Sequence, residues 1–94
     1  MDDNSIFIGN KPFMNYVTSV VVQFTTKGAR EVLIKARGKF ISRAVDVAEV
    51  ARKRFLKDQI ELKEINIDSE GFQNKEGHDV RVSTIEIILE KKQQ

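Results

Sequence analysis

The chain has no cysteine, one histidine (His78) and one proline (Pro12) in 94 residues. Without cysteine there is no disulfide framework and no thiolate nucleophile, a pattern that fits a reducing compartment. One histidine and no cysteine cannot assemble a zinc cluster, and no metal or other cofactor is expected. Ser42 and Ser83 have no histidine base within plausible reach, because His78 falls in a turn signal. Asp46 and Glu49 stand one helical turn apart and imitate a carboxylate pair. Arg43 and Lys53 beside them make a salt-bridged surface the better reading. The GxxxxGK[ST] phosphate loop and the KH-type GxxG loop are both missing. RGKF matches the start of an RNP motif, but ISRAV after it lacks the stacking aromatics. No apolar run approaches the length of a membrane span, so no membrane partner is expected. Asp2 and Asp3 occupy the place of a signal peptide's basic residues, and none is expected. These absences leave a nuclease or other enzyme little to work with.

What is present is a small globular chain, 40% hydrophobic with six Phe, read as one domain over residues 1–94. At this size a core is modest, and a partner subunit would add stability. The net charge of +2 hides an asymmetry. Residues 27–57 hold ten Lys/Arg against three acids, whereas residues 58–90 hold three against nine. Within the basic segment, IKARGK sets Lys35, Arg37 and Lys39 around one glycine. Like charges so close repel one another unless an anion lies between them.

Periodicity gives the element order. SIFI (5–8) is a short strand. Pro12 suits the first turn of a helix, and Phe13, Val17, Val20, Val21 and Phe24 share one helical face in spite of the β-branched residues between them. REVLIKA (30–36) alternates as a strand, and Gly38 turns the chain into a helix over 41–56. Ile41, Ala44, Val45, Ala48 and Phe55 lie on one side of that helix, and Phe40, Val47, Val50 and Ala51 lie towards the other. So wide an apolar surface predicts burial against the sheet and against a second subunit. Residues 59–68 and 78–90 are strands joined by the turn signal QNKEG. Each breaks its alternation once, which predicts a bulge or a strong twist. The expected class is α+β: a two-layer βαβαββ sandwich, a four-stranded mixed sheet with two helices and a protruding hairpin arm.

Two loops, GNKP and ARGK, each join a strand end to a helix start. If the two strands run parallel, Lys11, Arg37 and Lys39 converge beside two helix N-termini, whose free N–H groups and dipoles favour anions. A repeating polyanion, the phosphate backbone of nucleic acid, answers the question posed by IKARGK.

IGNKPFMNYV, VLIKARGKFISRAVDVAEVARKRF and the closing VSTIEIILEKK resemble the Alba family of archaeal nucleic-acid-binding chromatin proteins, over about residues 6–92. The resemblance implies the fold of the C-terminal domain of bacterial translation initiation factor three. It also implies a homodimer that binds double-stranded DNA, and RNA as well, with little sequence preference, in the cytoplasm on the chromosome. Central basic loops would touch the backbone, and hairpin arms would reach towards the minor groove. Carried over by position, Lys11, Arg37 and Lys39 fall at the phosphate contacts, with Asn10 beside them in the nucleic-acid-binding loop, Arg43 assisting and Arg81 on the arm. Tyr16 has two readings, a nucleic-acid contact or a half-buried helix residue. Phe55 has two as well, a contact between dimers on DNA or core packing. The family usually carries two lysines before the proline. Here the first is Asn10, which cannot be an acetylation switch. Asp68, Glu70, Glu76 and Asp79 outnumber Lys75 and Arg81, so the arm is acidic. An RNA-binding or ribonucleoprotein role, and a low-abundance, site-preferring DNA regulator, are the alternatives to a chromatin coat.

Overall fold

Helical period prevails over β-propensity in residues 13–25. In the computed structural model, which describes residues 4–93, α1 (Phe13–Thr25) buries Tyr16, Val17, Val20 and Phe24 on one side. Asp2 and Asp3, whose charge argued against a signal peptide, lie outside the described residues. Pro12 stands at the cap rather than inside the first turn, with φ −54° and ψ 140°. Its missing N–H costs nothing there. The helix ends at Thr25, before Gly28, which takes φ 70° in the connection to the next strand.

Strands β1 (Ser5–Phe7) and β2 (Glu31–Arg37) pair in parallel, with Phe7 opposite Lys35. The chain then makes a 3-10 turn at Gly38–Phe40, enters α2 (Ile41–Val50) and continues into a wide turn at Ala51–Phe55. Strands β3 (Ile60–Gln73) and β4 (Asp79–Lys91) complete a sheet of order β1-β2-β4-β3, with β4 antiparallel to both neighbours. Both helices lie on one face of this mixed sheet, and the fold is the α+β arrangement expected. Val32, Ile34 and Ala36 of β2 with Ile87 and Leu89 of β4 meet Val17, Val20, Phe24, Ala44, Val47 and Ala48 between the layers. Each large apolar side chain buried there stabilises the fold by about 1.5–3 kcal/mol.

The two broken alternations have different causes. On β3 the register shifts between Leu62 and Glu64, so Lys63 is an extra residue. Ile60 and Leu62 before it, and Ile65 and Ile67 after it, thereby all face the helix side. On β4 the pairing runs without a shift. Val80 and Val82 lie on the face opposite to Ile85, Ile87 and Leu89, so no bulge accompanies that change of phase. Strand β3 also runs five residues past its expected end at 68. The strand holds there because each of Ser69 to Gln73 has a partner on β4. Strand β2 stops at Arg37, opposite Thr84. Residues 69–73 and 79–83 therefore pair only with each other, as a ribbon projecting from a molecule of 52 × 25 × 25 Å.

The wide turn changes which residues of the second helix are inside. The Leu56 amide donates to the Ala51 carbonyl, five residues back, at 2.9 Å. Regular helical spacing through Ala44, Ala48 and Ala51 would bring Phe55 inward next. One extra residue in the turn puts Leu56 there instead, at 2% exposure, and leaves Phe55 at 50%. Phe55 is therefore not packed in this chain's core, which removes one of its two readings.

Candidate nucleic-acid interface

Parallel pairing of β1 with β2 places the loop after each strand at the same end of the sheet. Arg43, in the first turns of α2, ties these loops together. Its guanidinium donates to the Gly9 carbonyl at 3.0 Å and to the Lys11 carbonyl at 2.9 Å. The guanidinium also lies 5.8 Å from the centre of the Tyr16 ring, a favourable approach to an aromatic face. Arg43 thus fixes the GNKP loop from the neighbouring helix.

Tyr16 holds the same loop from below. Its hydroxyl accepts the Gly9 amide at 2.9 Å and the Lys11 amide at 3.0 Å. The residue is 7% exposed, so it is buried rather than half-buried, and its hydroxyl is engaged by the loop. Tyr16 is a buried post on which the loop is hung. Asn10 and Lys11 between these fixed points are exposed, and their side chains project from a restrained backbone.

The second loop is shaped by Gly38, whose φ of 55° is one that side chains rarely adopt. A Cβ at this position would stand 3.2 Å from Val82 Cγ2, so the turn sits close against the root of the arm. Lys39 follows on the 3-10 turn, with its ammonium 5.5 Å from the centre of the Phe40 ring. Neither α1, the 3-10 turn nor α2 has a side-chain cap or an acid in its first turn. Uncapped N–H groups with no carboxylate in their own first turns are favourable to anions.

The cations are not equally available. Among the described residues Lys11 and Lys39 form no ion pair. Arg37, at the end of β2, meets Glu70 of the arm at 3.1 Å, and Lys35 meets Glu86 at 3.5 Å. Together these residues line a groove of about 780 Å³ beside the Gly38 turn. Arg52 and Lys53 both bind Glu49, at 2.8 and 3.0 Å. The hydrogen bond from Arg52 is the main cause that holds the Glu49 carboxyl below its usual value. Lys63 pairs with Glu31, which raises the pKa of its ammonium. On the arm, Arg81 crosses Gly71 so closely that a Cβ at 71 would lie 2.6 Å from its Nη1. That glycine lets the Arg81 side chain lie along the ribbon.

Of the residues singled out from the sequence, Asn10, Lys11, Arg37, Lys39 and Arg43 come to one end of the sheet. Arg81 is set apart on the arm, and Phe55 lies after α2. Sequence reasoning missed Glu70 as the partner of Arg37. Alternation along the hairpin could have placed it on the same face, but only once the length of β3 was known. Gly9 was missed because its role is played by backbone atoms.

A family model described as Alba matches residues 4–69. The DNA/RNA-binding protein Alba 1 of Archaeoglobus fulgidus is 58% identical over 92 residues, covering 98% of this chain and 100% of that protein. The DNA/RNA-binding protein Alba of Methanococcus maripaludis is 52% identical over 89 residues, covering 95% and 99%. The solved structure of Alba from Thermoplasma volcanium superposes with a TM-score of 0.82 at 50% identity, covering 92% of this chain and 98% of that one.

Proposed function

This chain belongs to the Alba family, and on that premise we propose that it is a non-enzymatic nucleic-acid-binding protein. Its ligand is the sugar-phosphate backbone, above all of double-stranded DNA, held through the two strand-to-helix loops with little sequence preference. The observation that carries this reading is the clasp of Arg43 on Gly9 and Lys11. It joins two cation-bearing loops and two uncapped helix starts into one preorganised face. Phosphate contacts fix position without reading bases, which suits lysines on restrained backbone. The names of the relatives in A. fulgidus and M. maripaludis support the same reading and extend it to RNA.

The working unit in this proposal is a homodimer. Leu62, Ile65 and Ile67 on the helix side of β3 are exposed, as is Val45 of α2. Around the helix Val45 lies roughly opposite Arg43, the side chain that reaches the α1 loop, and so it flanks the uncovered edge of the sheet. A second copy on this surface would cover apolar side chains that the small core leaves outside. Two loop faces on one dimer would act together on a polyanion, and Phe55 would be free to meet a neighbouring dimer along DNA. The cellular place is then the chromosome in the cytoplasm of an archaeon.

Competition between random-sequence duplex DNA and structured RNA at equal salt tests the choice of ligand. The proposal expects duplexes of unrelated sequence to bind with similar affinity and at least as well as RNA. Clear preference for RNA would make this a ribonucleoprotein component. A sharp dependence on duplex sequence would make it a site-preferring regulator.

A further inference from the structure

Arg37 and Glu70 stand on strands separated by β4, yet they meet. Arg37 is level with Thr84 and Glu70 with Val82, neighbouring positions on the same face of β4. The two side chains reach over that strand to a separation of 3.1 Å, and both remain over half exposed, at 59% and 57%. Asp68 lies on the same face, level with Thr84 itself. Its carboxylate instead accepts the backbone N–H of Ser69 at 2.7 Å. Glu70 is therefore the arm carboxylate that occupies this guanidinium.

We propose that Glu70 is an internal competitor for the phosphate at Arg37, a contact between arm and loop that holds down affinity until nucleic acid displaces it. This rests on the reading of Arg37 as a backbone contact. A carboxylate and a phosphate oxygen seek the same guanidinium donors, and the two anions repel each other at such distances. Phosphate binding at Arg37 then favours release of Glu70, and with it loss of the tie between the arm and the end of β2. Backbone engagement and freedom of the arm become linked. The ion pair is exposed and so individually weak. That suits a competitor, which has to yield to a polyanion.

A double-mutant cycle on the full chain tests this, with random-sequence duplex DNA titrated at low and moderate salt. The variants are Glu70→Gln, Arg37→Ala, both together, and Glu76→Gln as a control that removes one acid from the arm tip. Exposed pairs of this kind are worth enough to change affinity by about two- to fivefold. Glu70→Gln is expected to tighten binding by that factor per subunit, most clearly at low salt. The gain should vanish in the Arg37→Ala background and should exceed that of Glu76→Gln. No gain, an equal gain without Arg37, or an equal gain from Glu76→Gln would overturn the competitor, the last two in favour of a general charge effect. If Arg37→Ala alone leaves affinity unchanged, the assignment of Arg37 to phosphate fails, and the competitor fails with it.

Discussion

At the scale of single residues, Tyr16 shows how one hydroxyl holds a loop. Two neighbouring amides would be left without a partner if its hydroxyl were removed, since Gly9 and Lys11 both donate to it. Tyr16→Phe should lower stability by about 1–3 kcal/mol, the usual cost of leaving such donors unsatisfied. It should also weaken nucleic-acid binding through a looser loop, while the salt dependence stays near that of the parent, because no cation is lost. Denaturant melts and a salt series on the same variant check both parts. Glu49 gives a prediction in pH. Its carboxyl is held low chiefly by the Arg52 hydrogen bond, so the folded pKa lies below the unfolded one. The stabilisation is complete above the unfolded value, about 4.3 for glutamate. It is lost as pH falls through the lower, folded one. Partial exposure and solvent screening limit it to a few tenths of a kcal/mol. Urea midpoints at pH 6 and pH 3 should differ slightly less in Glu49→Gln than in the parent.

Secondary-structure elements were legible where a period survives intact. Phe13, Val17, Val20 and Phe24 defined α1, and Val32 and Ile34 defined β2, because burial of one face needs that spacing. The loops GNKP and ARGK were legible for a different reason: proline, glycine and lysine mark strand-to-helix turns by their chemistry. Illegible were features that depend on partners far along the chain. Nothing local distinguishes the bulge at Lys63 from a twist, or ties Glu70 to Arg37. The wide turn at Ala51–Phe55 is the plainest case, because regular spacing points to Phe55 as the buried residue. Paired substitutions measure it. Leu56→Ala should cost about 2–5 kcal/mol, as for other buried leucines. Phe55→Ala should change stability by no more than about 0.5 kcal/mol, as at other surface positions. Equal, large losses at both positions in chemical melts would contradict the register given by the Leu56 to Ala51 hydrogen bond.

For the whole molecule, shape and charge work together. A chain with only +2 net charge cannot rely on overall attraction to a polyanion, so the location of its cations matters more than their number. Several are engaged by acids within the chain, at Glu31, Glu49, Glu70 and Glu86. Lys11 and Lys39 are left facing solvent at the loop end. The dimer proposal belongs to this scale too. Ile67 is 78% exposed, so Ile67→Asp should spare the chain's own core while placing a charge in the proposed contact. Light scattering should give twice the chain mass for the parent and one chain mass for the variant. A dimer that survives the change would place the interface elsewhere. The central claim, that the two loops hold the phosphate backbone, meets its most direct test in a salt series. Parent and the Lys11→Ala, Lys39→Ala double variant are titrated against random-sequence duplex DNA, with folding checked by circular dichroism. Four contacts per dimer would be lost, so the slope of log affinity against log salt should become shallower by about 3.6 units. An unchanged slope in a folded variant would show that these lysines are solvated surface and that the binding face lies elsewhere.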